Sequence, residues 1–170
     1  CKGAEIAITN KTRFTAEIIA ALPDLKLICV AATGMNNIDL EAAESAGISV
    51  RNAVGYSTYS VAEQTFSGVL ALLKQVVYFD AYVKDGSYAS SSYLFDFTRP
   101  TYELHGKKWG VIGLGNIGKQ VAKIAEAFGC EVAYYSTSGA NDDKDYRQMP
   151  LDELMSWADI VSVHAPLSQQ

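Results

Sequence analysis

The chain has 170 residues, of which 49% are hydrophobic and 19% are charged. This length suits one domain or two small ones, and the composition excludes disordered and fibrous chains. Fourteen Lys and Arg stand against nineteen Asp and Glu, a net charge of −5, which argues against nucleic-acid binding as the main function. We find no apolar run near the ~20 residues that span a bilayer, and we expect no signal peptide and no membrane contact.

The cysteines predict the compartment. Cys1, Cys29 and Cys130 are odd in number and widely spaced, which fits neither a disulfide framework nor a zinc site. We therefore expect a cytoplasmic protein without a metal site. The chain begins without an initiator Met and ends soon after a strand-like run, so we expect it to be a piece of a longer protein.

The first half of the chain alternates short strands with helices, the pattern of a parallel α/β fold. Asp39 predicts a helix start and Gly47 a left-handed helix end. Ser60, followed three residues later by Glu63, has the form of a capping box, which predicts a long helix with an apolar stripe to Val77. The predicted elements are strand 5–9, helix 15–22, strand 27–31, helix 39–46, strand 48–50 and helix 60–77.

Residues 85–102 change character, because they are rich in Ser, Tyr and Phe, and they predict a linker between two domains. The aromatic cluster in this linker is interpreted equally well as a partner interface or as a hinge packed on its own domain; it consists of Tyr88, Tyr93, Phe95 and Phe97. The alternation then resumes with strand 108–113, helix 116–128, strand 131–135, a polar loop over 141–148, helix 151–157 and strand 159–163.

The most specific motif is the glycine-rich turn Gly113-Leu-Gly115-Asn-Ile-Gly118. It follows a predicted strand and opens a predicted helix, the context in which this pattern binds a dinucleotide. Gly113 would make the tight turn, Gly115 would let the backbone approach a pyrophosphate, and Gly118 would let the helix pack on the strand. The N–H groups of Asn116 and Ile117 would then face the anion at the positive end of the helix dipole.

The strand after this turn lacks the acidic residue that holds the adenosine ribose in NAD enzymes. Ser136 stands at that position, and a serine carries no charge to repel the 2′-phosphate of NADP. No arginine, the usual sign of NADP binding, stands beside it, although Lys144 and Arg147 follow further along. The sequence predicts NAD as the cofactor and leaves NADP open.

Several stretches in combination resemble the D-isomer-specific 2-hydroxyacid dehydrogenases, and within them most closely the glycerate dehydrogenases, also called hydroxypyruvate reductases. The stretches are 110–118 with the strand ending at Ser136, 154–166, 32–39, 47–50 and 60–63. The resemblance implies an α/β chain with part of a flavodoxin-like substrate domain, residues 1–95, followed by the first half of a Rossmann-type NAD(P)-binding domain, residues 96–170. It also implies hydride transfer between NAD(P)H and a small 2-keto or 2-hydroxy acid, with hydroxypyruvate, glycerate or glyoxylate favoured.

The resemblance also assigns site residues. The family's catalytic Arg, Glu and His would lie beyond Gln170, so we expect no catalytic residue in this chain and no activity from it alone. Ala32, Thr33 and Gly34 match the loop whose backbone amides receive the substrate carboxylate. The positions that match cofactor contacts are Tyr56, Val61, Gly113, Gly115, Asn116, Ile117, Gly118, Ser136, His164, Ala165 and Pro166.

Other interpretations stay open at this point. His164 suggests a general acid, but the resemblance favours a place beside the cofactor, and Glu63 and Asp39 are better explained as helix caps than as catalytic carboxylates. A non-catalytic dinucleotide-sensing module of the corepressor type is the alternative function, because such proteins share the fold and the glycine turn. A relative of adenosylhomocysteinase is disfavoured by the match at Thr33 and Gly34. The resemblance further implies a homodimer.

Overall fold

The computed structural model describes residues 2–139 and 143–166. It divides into two compact units, Cys1–Tyr56 and Ser57–Gln170, and each contains its own parallel sheet. The predicted α/β fold is therefore confirmed. Cys1 and the first two residues of the expected polar loop, Asn141 and Asp142, lie outside the described residues.

The first unit is built on three parallel strands in the order β1-β2-β3. Its elements are β1 (Ile6–Thr9), α1 (Ala16–Ala20), β2 (Leu27–Val30), α2 (Leu40–Ser45) and β3 (Ser49–Asn52). The predicted cap of α2 is confirmed, because Asp39 Oδ1 accepts from the Ala42 N–H at 3.0 Å. Gly47 ends that helix at φ +71°, as its position predicted. Cys29, on the middle strand, is partly buried.

The second unit contains a four-stranded parallel sheet in the order β6-β5-β4-β7. Its elements are α3 (Thr58–Leu73), α4 (Val76–Lys84), α5 (Ser87–Ser90), β4 (Lys108–Ile112), α6 (Asn116–Ala127), β5 (Glu131–Tyr135), β6 (Arg147–Gln148), α7 (Leu151–Trp157) and β7 (Ile160–Val163). Numbered within this unit alone, the strand order is 3-2-1-4, which is the order of the first four strands of a Rossmann domain.

Helices cover both faces of this second sheet. On one face α3 and α6 pack over Trp109, whose ring stacks on Phe66 with centroids 4.7 Å apart. The fully buried Trp109 indole N–H donates to Ser162 Oγ at 2.9 Å, so the aromatic side chain is buried without leaving its donor unpaired. On the other face α7 packs so closely that a Cβ on Gly110 would lie 3.1 Å from Leu154 Cγ.

The start of α3 differs from the prediction. The helix begins at Thr58, and Ser57 is the N-cap without a side-chain hydrogen bond. Ser60 therefore lies inside the first turn, and the predicted capping box of Ser60 and Glu63 was wrong.

The predicted long helix is also broken. Gln75 adopts φ +53°, and α4 continues at 60° to α3. At the break the Tyr102 N–H donates to the Leu73 carbonyl at 2.9 Å, an acceptor that an unbroken helix would use itself. Val77 is consequently 79% exposed rather than packed in a continuous stripe. Within the described residues no single helix is long and apolar enough to cross a membrane; only this bent pair taken together has the length and composition.

The two compact units meet in the sequence between Tyr56 and Ser57, whereas the expected boundary between functional domains lies at residues 95 and 96. The long helix α3 groups with the second unit because Ala62 and Phe66 belong to the core of the second sheet. The assignment of residues 1–95 to a substrate domain stays a prediction.

Candidate functional site

The carboxyl ends of the parallel strands in the second unit bring three predicted segments together. Gly113 follows β4, Ser136 follows β5 and His164 follows β7, and β4 pairs with both of the other strands. The pairing continues past the strands, because the Gly113 N–H donates to the Tyr135 carbonyl at 2.9 Å and the His164 N–H donates to the Ile112 carbonyl at 2.8 Å. Open α/β sheets bind their ligands at this edge.

The three glycines of the turn lack a side chain for different reasons. Gly113 has φ +90°, and a Cβ there would lie 2.9 Å from the Ala165 nitrogen, so both the conformation and the close approach of the next segment require glycine. A Cβ on Gly118 would overlap the Gly113 carbonyl oxygen. Gly115 has an ordinary φ of −80°, and a Cβ there would meet no atom within 4 Å. The fold leaves this last position open, which fits a close approach by a ligand.

Helix α6 begins at this open position. Its N-cap Gly115 supplies no side-chain acceptor, and its first turn contains no acidic residue. In the described part of the chain, the N–H groups of Asn116, Ile117 and Gly118 donate to no protein acceptor. Because such N–H groups carry the positive end of the helix dipole, they attract anions. The turn therefore fits the pyrophosphate of a dinucleotide.

Two buried polar atoms at the same edge lack a hydrogen-bond partner among the residues that the structure describes: Ser136 Oγ and His164 Nε2. Ser136 is only 5% exposed, and burial lowers the pKa of the His164 imidazole, which favours its neutral form. Leaving a buried polar group unpaired costs about 1–3 kcal/mol. Both atoms thus fit a ligand that brings its own hydroxyl or amide groups, as a dinucleotide does.

Sequence reasoning missed an ion pair beside the glycine turn. Lys119 Nζ, on α6, lies 2.8 Å from Asp143 Oδ2, and the Asp143 backbone N–H donates to Tyr134 Oη at 3.0 Å. The hydrogen bond between Lys119 and Asp143 lowers the pKa of the carboxyl and raises the pKa of the ammonium. These contacts hold residues after β5 against α6, and no local pattern in the sequence signals them.

The predicted substrate loop lies in the first unit. Ala32, Thr33 and Gly34 follow β2, whose last residue is Val30, after the single residue Ala31. Thr33 and Gly34 are exposed, and their backbone N–H groups have no acceptor within the described ranges. Such amides can bind an anion without a charged side chain. That the anion is a substrate carboxylate stays a prediction.

The remaining assigned positions are less constrained by their surroundings. Tyr56 ends the first unit and is 67% exposed, while Val61 is partly buried near the start of α3. Pro166 is exposed beyond β7, next to the Ala165 that contacts the glycine turn. Their roles as cofactor contacts stay predictions.

Comparison with known proteins agrees with this geometry. Residues 66–170 match the sequence model of the family described as "D-isomer specific 2-hydroxyacid dehydrogenase, NAD binding domain". A glycerate dehydrogenase from Methylorubrum extorquens is 35% identical over 167 residues, which are 98% of this chain and 52% of that protein.

Two solved structures are also similar. A D-lactate dehydrogenase from Aquifex aeolicus, complexed with NAD and lactic acid, has a TM-score of 0.85 at 32% identity and is matched over 98% of this chain and 50% of that one. The acyclic imino acid reductase Bsp5, in complex with NADPH and D-Arg, has a TM-score of 0.87 at 30% identity, with coverage of 98% and 52%.

The chain spans about half the length of the relatives that it matches. The matched NAD-binding segment contains the whole edge formed by the glycine turn, Ser136 and His164, so the predictions of NAD as the cofactor and of a Rossmann-type fold are confirmed. With the glycine turn, the strand order and this match in agreement, the chain belongs to the D-isomer-specific 2-hydroxyacid dehydrogenase family.

Proposed function

We propose that the protein containing this chain is an NAD(P)-dependent oxidoreductase that interconverts a small 2-keto acid and the corresponding 2-hydroxy acid. Hydroxypyruvate with glycerate, or glyoxylate, is the favoured substrate class. The observation that carries the proposal is the open glycine turn with its unbonded N–H groups, beside two unpartnered buried polar atoms. The similarity to a glycerate dehydrogenase and to a lactate-bound dehydrogenase supports the substrate class.

Each residue then has a separate task. Asn116 and Ile117 would bind the pyrophosphate through their N–H groups, Ser136 would contact the adenosine ribose, and His164 would lie along the dinucleotide. When bound, NADH supplies the hydride that reduces the keto carbon. The side chains that bind the keto acid and protonate its carbonyl oxygen are expected beyond Gln170, so the 170 residues alone are predicted to be inactive.

The choice between NADH and NADPH depends on charge near the ribose. Position 136 carries no carboxylate, which leaves NADPH acceptable. However, Lys119 is paired with Asp143, and Arg147 is paired with Glu153 at 2.8 Å. These pairings reduce the positive charge that Lys119 and Arg147 offer to a 2′-phosphate, which leaves the exposed Lys144 as the remaining cation of this segment. We therefore propose NADH as the preferred cofactor.

The decisive experiment is an assay of the complete protein with hydroxypyruvate, glyoxylate and pyruvate, each with NADH and with NADPH. We expect turnover of hydroxypyruvate or glyoxylate, measured as the change in nicotinamide absorbance. NADH binding without turnover of any of the three acids would instead favour the dinucleotide-sensing module. Turnover by the 170 residues alone would show that the catalytic groups are in this chain.

We also propose a homodimer that uses the aromatic segment after α4. Tyr78 Oη donates to Asp96 Oδ2 at 2.8 Å, and the Arg99 guanidinium lies 5.0 Å from the Tyr78 ring centre, so the segment is anchored on α4. Tyr93 and Phe97 nevertheless remain 73% and 84% exposed, and exposed apolar patches are typical of association surfaces. Sedimentation of the complete protein and of its Phe97→Ser variant tests this, with a shift toward monomer expected in the variant. A cytoplasmic location stays a prediction.

A further inference from the structure

The loop after β2 is fastened to the end of β3 by three hydrogen bonds. Asn52, the last residue of β3, donates from Nδ2 to the Thr33 carbonyl oxygen at 2.6 Å. The Ala53 N–H donates to the Ala32 carbonyl at 3.1 Å, and Thr33 Oγ1 donates to the Ala53 carbonyl at 3.3 Å. Two consecutive carbonyl groups of the loop therefore face the neighbouring strand end.

The direction of these carbonyls determines the direction of two N–H groups. A peptide group is planar and trans, so its C=O and its N–H point in opposite directions. Because the Ala32 and Thr33 carbonyls face β3, the N–H groups of Thr33 and Gly34 face away from it. Both residues are exposed, and neither N–H has an acceptor in the part of the chain described.

The far end of the loop is held independently. Asn37 Nδ2 donates to the Thr12 carbonyl at 2.9 Å, and the Ile38 N–H donates to the Met35 carbonyl at 2.9 Å. We therefore expect the loop to keep its position when the Asn52 bond at its near end is removed. The Asn52 amide is the only side-chain donor, among the described residues, that holds the Thr33–Gly34 peptide group itself.

We propose that Asn52 is a positioning residue for the substrate: its amide orients the Thr33–Gly34 peptide so that the Thr33 and Gly34 N–H groups together hold a carboxylate. This inference rests on the function proposed above. Donors that are already oriented need no reorganisation when the anion binds. Without the Asn52 bond this peptide group can rotate, and the Gly34 N–H no longer has a defined direction. Asn52 acts through the loop and does not itself contact the substrate.

The test uses the complete protein, hydroxypyruvate as the probe, and the variants Asn52→Ala and Asn52→Asp. The alanine removes the donor, while the aspartate keeps the shape but places an oxygen against the Thr33 carbonyl. We expect the KM for hydroxypyruvate to rise about tenfold in Asn52→Ala, the effect of one lost hydrogen bond, and further in Asn52→Asp. The Kd for NADH, measured by fluorescence titration, should change by less than about twofold, since every assigned cofactor residue except Tyr56 lies in the other unit.

Asn10→Ala is the matched control. Asn10 follows β1 in the same unit, and its side chain makes no hydrogen bond within the described ranges. Its KM and Kd should equal those of the wild type. A KM that is unchanged in a folded Asn52→Ala protein overturns the inference but leaves the proposed function intact, as does a lower Tm or kcat with an unchanged KM. If Asn52→Ala does not fold, the isosteric Asn52→Asp decides the question. Absence of turnover by the wild type overturns the proposed function and this inference with it.

Discussion

The glycine turn over 113–118 and the loop over 32–37 both follow a strand of a parallel sheet, and both present backbone N–H groups that lack acceptors among the described residues. They are held in different ways. The turn depends on missing side chains, a positive φ at Gly113 and a helix directly behind it. The loop depends on two amide side chains: Asn52 at the end of β3, outside the loop, and Asn37 at the far end of the loop itself. We therefore expect substitutions that add a side chain to disrupt the turn, and substitutions that remove a hydrogen-bond donor to disrupt the loop.

The largest expected effect comes from adding one methyl group to a glycine in each region and comparing the losses of stability. Gly113→Ala should destabilise the complete protein by about 2–5 kcal/mol, because a residue with φ +90° is strained and the Cβ collides with Ala165. Gly34→Ala should cost less than about 1 kcal/mol, because its Cβ only touches Asn36 Oδ1 at 3.4 Å and its φ is not positive. Urea unfolding of both variants measures the difference. Equal losses would show that the loop is as tightly packed as the turn.

The next prediction concerns the open position in the turn. Gly115→Val should raise the Kd for NADH by at least about a hundredfold, since the side chain displaces the anion from charge-assisted N–H donors. The Tm without cofactor should stay near that of the wild type, because nothing lies within 4 Å of the added Cβ. Gly68→Val, at an equally open position in α3, is the control. An unaltered Kd would mean that the turn serves packing alone.

A third substitution adds charge beside the turn. Ser136→Asp should shift the ratio of kcat/KM values toward NADH by about ten- to a hundredfold, because a carboxylate repels the 2′-phosphate of NADPH. Thr137→Asp places the same charge on the exposed neighbouring residue and should shift the ratio far less. If the two variants behave alike, the effect is a general one of charge, and Ser136 does not contact the ribose.

The smallest effect depends on pH. Burial lowers the pKa of His164 below its ordinary value of 6.5, so the unfolded state binds a proton more readily than the folded state. The contribution of His164 to stability is then fully present above pH 6.5 and decreases as the pH falls through that value. His164→Gln should flatten the fall in stability between pH 7 and about pH 5, compared by urea unfolding with the wild type. Parallel curves would show that His164 is not buried in the neutral form.

The features predicted correctly are those that depend on residues close together in the sequence. Asp39 caps the helix that begins one residue later, and Gly113 and Gly118 make contacts within the strand, turn and helix that contain them or with the adjacent strand end. The errors arose where a distant group intervened. The helix break at Gln75 carries no proline or glycine to announce it, and the Leu73 carbonyl is instead taken by Tyr102 from beyond the linker.

By itself the sequence determined the α/β class, the glycine turn and the family, because strand periodicity, caps and positive-φ glycines are properties of short segments. Only the tertiary structure decided that α3 belongs to the second sheet, that Lys119 pairs with Asp143, and that the Asn52 amide donates to the Thr33 carbonyl. Each of these depends on two groups far apart in the chain. Whether two such groups come into contact depends on how the strands pair and the helices pack, and no local residue pattern predicts that contact.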